Sequence, residues 1–148
     1  MKKSKRLLPV LQLKERDEKA AAKRLGEVQQ ELNASIKQLE ELQAYRQDYY
    51  TKLSNDPKNG LPSVPATILE KYQLFLAKLN AVVERQQETI ELNRQHVEAQ
   101  RKNWVVANSR LKSMHDLIVR AKEEETMLLD KQEQSQIDER SQYRKREW

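Results

Sequence analysis

One seven-residue repeat dominates the second half of the chain. Every seventh residue from Leu69 to Ile118 is apolar, in a sequence whose mean hydropathy is only −0.97. An apolar residue kept in one heptad phase for this long is typical of a helix whose seam stays against a partner helix in a coiled coil. We call these positions a; they are Leu69, Leu76, Val83, Ile90, Val97, Trp104, Leu111 and Ile118.

The companion d positions lie three residues after each a position. They are apolar at both ends of the series and polar in its middle, so the seam has one strong position, a, and a weaker and more adjustable one, d. These positions are Tyr72, Leu79, Gln86, Asn93, Gln100, Ala107, Met114 and Ala121.

A second heptad series runs from Ser4 to Leu53 and is clearest from Leu25 onward. Pro9 is tolerated within a first helical turn and would kink the helix if it lay deeper. Gly26 weakens the helix by about 1 kcal/mol relative to alanine. The a positions are Leu11, Glu18, Leu25, Leu32, Leu39, Arg46 and Leu53, and the d positions are Leu7, Lys14, Ala21, Val28, Ser35, Leu42 and Tyr49.

Residues 54–65, with the sequence SNDPKNGLPSVP, contain the turn signals that separate the two series. We therefore predict one all-α domain, an antiparallel two-helix coiled-coil hairpin: helix 1 over about 4–54, a loop over 55–65 bending at Asn59–Gly60, helix 2 over about 66–140 and a basic tail over 141–148. Two starts fit helix 2, either Ser63 as cap with Pro65 in the first turn or a capping box of Thr67 and Glu70.

The two heptad phases also predict the register. Facing residues in an antiparallel pair have numbers with a constant sum, and a sum of about 125 places the bend inside the loop. Ala21 then faces Trp104 and Ser4 faces Ala121, so residues from about Lys122 onward overhang without a partner. Leucines of helix 1 face Gln86, Asn93 and Gln100, and these amides are expected to select the register at a cost in stability.

Composition excludes several functional classes. A chain with 34% charged residues, one phenylalanine and no cysteine cannot build a layered core or cysteine-based chemistry. No phosphate loop or catalytic motif is present, and His96 and His115 lie too far apart along one helix to share a metal. We expect no enzyme activity, no metal and no cofactor, and the absence of a signal peptide or apolar span favours the cytoplasm.

The net charge of +5 is concentrated at the two ends of the chain. Such an excess attracts acidic partners. However, a DNA-reading zipper needs a dense basic block running into a parallel coiled coil, and here both charges alternate along antiparallel helices. Nucleic-acid binding is therefore not expected.

Aromatic residues cluster near the predicted loop, with Tyr45, Tyr49, Tyr50, Tyr72 and Phe75 on the two helices. Tyr45 and Phe75 occupy g positions, beside the seam. The cluster is either a thickened core at the loop end or an exposed docking strip.

Two short runs on either side of the loop carry a family resemblance: Gln38, Leu39, Leu42, Tyr45 and Tyr49 in one, and Tyr72, Gln73, Phe75 and Leu79 in the other. With the chain length and the basic start, they resemble FliJ, the flagellar type III export component. The resemblance implies a non-enzymatic coiled coil similar to the central stalk of rotary ATPases, held in the ring of the export ATPase FliI hexamer. It also implies contact with the export gate protein FlhA and escort of export chaperones, with membrane association only through partners at the cytoplasmic face of the inner membrane.

The same resemblance implies two sets of site residues. The gate-binding strip corresponds to Gln38, Leu42, Tyr45, Tyr49, Phe75, Leu79, Val82 and Gln86, although Val82 and Gln86 depart from the alanine and histidine of the family pattern. The opposite end, expected to enter the ATPase ring, comprises Lys5, Arg6, Leu7, Leu11, Leu13, Arg16, Arg120 and Lys122.

Two alternatives remain open from the sequence. One is the equivalent stalk of a virulence type III injectisome, and the other is a general coiled-coil adaptor or homodimer with helices paired between chains. A hairpin that pairs within one chain is expected to be a monomer in isolation.

Overall fold

A computed structural model describes residues 2–54 and 65–146. It contains two long helices, α1 (Lys3–Ser54) and α2 (Ala66–Arg146), and no strand within the described ranges. The helices pack against each other, which confirms the predicted all-α helical hairpin. α2 ends at Arg146 rather than near residue 140, so most of the segment expected as a basic tail is helical.

The heptad pattern agrees with the burial of side chains. All a and d residues from Ser4 to Leu53 and from Leu69 to Glu125 are buried or half-buried. Since apolar burial is the main favourable term in folding, this seam is the core of the protein. The buried apolar residues are Ala21, Leu32, Leu76, Leu79, Val83, Ile90, Ile118 and Ala121.

The chain divides into two compact units. The first unit contains Met1–Ala22 and Asn103–Trp148, and the second contains Lys23–Lys102. In both units, residues of α1 contact residues of α2 in antiparallel order.

The centre of the second unit contains a polar layer in the seam. Gln86 Nε2 donates to the carbonyl oxygen of Ser35 at 2.9 Å, and Asn93 Nδ2 donates to Ser35 Oγ at 3.1 Å. The Ser35 hydroxyl in turn donates to the carbonyl oxygen of Leu32 at 2.8 Å. Because these amides are paired, the desolvation cost of placing them in the seam is largely offset.

The first unit carries the largest seam residue. Trp104 Nε1 donates to Glu18 Oε1 at 2.9 Å, which places the indole one helical turn from the buried Ala21. The bond lies within one helical turn of the predicted pairing, in which Ala21, the smallest seam side chain of α1, faces the indole.

Pairing in the first unit extends further than predicted. The Ser4 N–H donates to Glu125 Oε1 at 3.0 Å and the Ser4 hydroxyl donates to Glu125 Oε2 at 2.8 Å. The expected end of pairing at Lys122 is therefore wrong, because an acidic residue at a seam position serves as hydrogen-bond acceptor for the first turn of α1. Beyond Glu125, all residues of α2 whose side chains the structure describes are exposed.

Backbone hydrogen bonds define the start of α2. The carbonyl oxygen of Pro65 accepts from the N–H groups of Ile68 and Leu69, and α2 begins at Ala66. Thr67 is thus inside the first turn, so the predicted capping box of Thr67 and Glu70 is wrong. The bend at Asn59–Gly60 and the alternative cap at Ser63 lie outside the described residues. Pro9 lies inside α1, beyond its first turn.

Candidate docking strip

Four aromatic rings from both helices form one cluster in the second unit. Tyr49 lies at its centre, with ring centroids 4.7 Å from Phe75, 5.0 Å from Tyr45 and 5.8 Å from Tyr72. Tyr45 also approaches Phe75, at 6.3 Å in an edge-to-face arrangement. Such pairs contribute packing energy beyond the area they bury, so the cluster is a fixed feature of this surface.

The cluster is built from two heptad positions on each helix. Tyr49 and Tyr72 occupy d positions and are half-buried, whereas Tyr45 and Phe75 occupy g positions and are exposed. Tyr45 is 49% exposed and Phe75 is 38% exposed. Half of the cluster therefore supports the hairpin, and the other half presents aromatic surface to solvent.

Polar contacts hold the two tyrosines together. The hydroxyl groups of Tyr45 and Tyr49 share a hydrogen bond of 3.3 Å. This bond, followed by loss of hydration and by the charges of Tyr45 and Tyr72, raises the pKa of the Tyr49 phenol from its ordinary value of 10.0. Lys52 Nζ lies 5.8 Å from the Tyr49 ring centroid. The Tyr49 phenol is therefore neutral at physiological pH.

A shallow groove of about 410 Å³ continues from this cluster along the same unit. Gln86 Nε2 closes one side of the groove by donating to Gln38 Oε1 at 3.1 Å. Sequence reasoning missed Glu41, which lines the groove and occupies a c position outside the seam. The groove is lined by Gln38, Glu41, Leu42, Tyr45 and Gln86.

The structure brings the eight residues of the expected gate-binding strip onto neighbouring turns of the second unit. We call these eight residues the docking strip. They differ in exposure. Leu79 is buried, so it supports the strip from beneath rather than offering surface. Leu42, Tyr49 and Gln86 are half-buried, and the four exposed members are Gln38, Tyr45, Phe75 and Val82.

The residues expected to enter the ATPase ring all lie in the first unit. Leu7 and Leu11 are half-buried in the seam, and the other six are exposed: Lys5, Arg6, Leu13, Arg16, Arg120 and Lys122. Three further apolar side chains of this region, Leu8, Val10 and Leu117, are 42%, 37% and 42% exposed. The sequence signal for these three was weak, because e and g positions carry apolar residues in many coiled coils.

The N-terminal end of α1 binds a carboxylate of α2, and the contact shifts the pKa of that carboxylate. The hydrogen bonds from the Ser4 N–H and then the Ser4 hydroxyl lower the pKa of Glu125 below its ordinary value of 4.5, and Lys2 and Lys122 lower it further. A carboxylate near the first turn of a helix also interacts favourably with the helix dipole.

Neither a metal site nor a membrane span is found in the described parts of the chain. Within residues 2–54 and 65–146, no group of three or more acidic or histidine side chains is placed to hold a metal ion. Neither described helix has a segment apolar enough to cross a bilayer.

Comparison with known families settles the relationship. A sequence profile described as flagellar FliJ protein matches residues 2–147, nearly the whole chain. The chain belongs to the FliJ family. It is accordingly a component of the flagellar type III export apparatus, in a family of structural export components that are not known as enzymes. Comparisons with curated proteins and with solved structures give no match.

Proposed function

We propose that this chain is the stalk of the flagellar export apparatus, linking the export ATPase FliI to the export gate protein FlhA and escorting vacant export chaperones. It acts by contact alone, on the cytoplasmic face of the inner membrane, which it reaches through its partners. The observation that carries the proposal is the exposed aromatic pair Tyr45 and Phe75 on the docking strip. Aromatic side chains are enriched at protein interfaces, where a few of them carry most of the binding energy.

The charge of the first unit supports the other half of the proposal. Lys5, Arg6 and Arg16 on α1 and Arg120 and Lys122 on α2 are exposed cations. A basic surface of this kind favours an acidic bore in a ring-shaped partner. Family membership favours the flagellar apparatus over the virulence injectisome.

Replacement of both exposed aromatic residues tests the gate contact. Tyr45→Ala with Phe75→Ala is expected to weaken binding to the cytoplasmic domain of the gate protein by about tenfold or more, as interface hot spots do. Titration calorimetry with purified proteins measures the effect. Helicity and binding to the ATPase are expected to stay unchanged.

The matched control is Tyr50→Ala, which removes a tyrosine of the same helix that is 43% exposed but lies outside the strip. This variant is expected to bind the gate normally. Equal affinity of the strip variant and the unaltered chain would remove the site assignment, and equal losses in both variants would show a nonspecific effect.

A further inference from the structure

Two rows of charged residues flank the docking strip, one on each helix. A c position lies three or four residues from a g position, on the side of the helix away from the seam. On α1, Glu41 and Asp48 occupy the c positions on either side of Tyr45. On α2, the c positions beside Phe75 and Val82 are all basic, and all five charged side chains are exposed. The basic row is Lys71, Lys78 and Arg85.

The two rows lie at the same level along the second unit. Gln86 Nε2 donates to Gln38 Oε1, so these two residues face each other across the helix pair. Glu41 follows Gln38 by three residues, and Arg85 precedes Gln86 by one. In antiparallel order Glu41 and Arg85 are therefore within one helical turn of the same level, on opposite edges of the strip. One heptad towards the loop, the next acidic and basic residues repeat this arrangement.

Neither row is paired with an opposite charge in the described parts of the chain, where the ion pairs found involve other residues. Charges of the opposite sign on the same turns occupy other positions. Lys37 and Glu88 are at f positions, farther from the strip. Lys52 lies at the loop end, 5.8 Å from the Tyr49 ring centroid. The strip therefore has an acidic edge on α1 and a basic edge on α2, both accessible to a partner.

We propose that the docking strip binds one amphipathic helix, with apolar side chains along Tyr45, Phe75 and Val82, a basic edge over α1 and an acidic edge over α2. Amphipathic helices bind grooves between helices by their apolar face. Reversing the direction of the bound helix would exchange its two edges and place like charges over each row. The two rows thus determine the direction in which the helix binds. Its identity as a segment of the gate protein rests on the proposed function.

Charge reversal at one position of each row tests the two edges. Glu41→Lys and Arg85→Glu are each expected to weaken binding to the cytoplasmic domain of the gate protein by about fivefold, measured by titration calorimetry at low salt. The loss is expected to diminish at high salt, because exposed charges are screened. The double variant makes both edges repulsive, so its loss is expected to be close to the product of the two single losses.

Glu40→Lys is the matched control, because Glu40 is also exposed but occupies a b position on the other side of α1. This variant is expected to bind normally, and a loss equal to that of Glu41→Lys would overturn the proposal. Unchanged affinity after reversal of Glu41 and Arg85, with binding still lost in Tyr45→Ala with Phe75→Ala, would overturn it and leave the proposed function intact. No binding by the unaltered chain would overturn both. A dimer of the unaltered chain in sedimentation equilibrium that the same reversals dissociate would assign the strip to a second copy instead.

Discussion

Glu125 shows how a single charged residue ends the seam. It occupies an a position, where an apolar residue would continue the coiled coil, yet it accepts both the backbone N–H and the hydroxyl of Ser4. The first N–H groups of a helix have no partner within the helix, so an acceptor from another helix stabilises the start of α1. The residue therefore specifies where α1 begins against α2.

The lowered pKa of Glu125 makes this contact sensitive to acid. A carboxyl group whose pKa is lower in the folded than in the unfolded chain contributes stability above its ordinary value of 4.5, and this contribution is lost as pH falls through the folded value. We expect the first turn of α1 to lose hydrogen-exchange protection below that range. Glu125→Gln is expected to abolish this pH dependence and to lower protection at neutral pH. Retention of the same pH profile in Glu125→Gln would contradict the contact.

At the scale of the helix, Gly26 is a locally weak position of α1. Gly26 lies inside the helix, and a Cβ placed there would meet nothing within 4 Å. Its cost is thus conformational entropy, without a compensating close approach of backbone or side chain.

Gly26→Ala is therefore expected to stabilise the protein by about 1 kcal/mol in urea unfolding followed by circular dichroism. The reverse substitution at an exposed alanine of the same helix and unit, Ala34→Gly, provides the control and is expected to cost a similar amount. Destabilisation by Gly26→Ala would indicate that the glycine serves a packing or binding role.

At the scale of the whole molecule, α2 is longer than α1, and this difference in length is relevant to the proposed insertion into the ATPase ring. The side chains of residues 127–145 are all exposed, and this segment carries the basic end of the helix. Removing them leaves the Ser4–Glu125 contact in place. The hairpin should therefore unfold at an unchanged urea concentration after truncation.

A chain ending at Thr126 is expected to stimulate the export ATPase several-fold less than the full chain, because the overhang and its cations can no longer contact the ring. Steady-state ATP hydrolysis by the ATPase measures the change. The unfolding midpoint of the truncated chain is the control for an intact hairpin. Full stimulation by the truncated chain would argue against insertion of this end.

Heptad periodicity alone was sufficient to predict the helices, the seam and the register. The reason is that the a and d positions of each helix can be read from its own sequence. Few registers then keep both apolar seams in contact and the bend inside the loop. The Trp104–Glu18 hydrogen bond, within one helical turn of the predicted partner Ala21, illustrates this agreement.

The partners of polar side chains were decided only by the tertiary structure. Glu125 accepts from Ser4, which depends on where α1 begins opposite α2. Gln86 donates to both Ser35 and Gln38, which depends on the side-chain rotamers across the seam. The exposure of each side chain in the docking strip was also decided only by the tertiary structure. Leu79 is buried while Phe75, four residues earlier, faces solvent, since packing between helices determines which side of each heptad stays accessible.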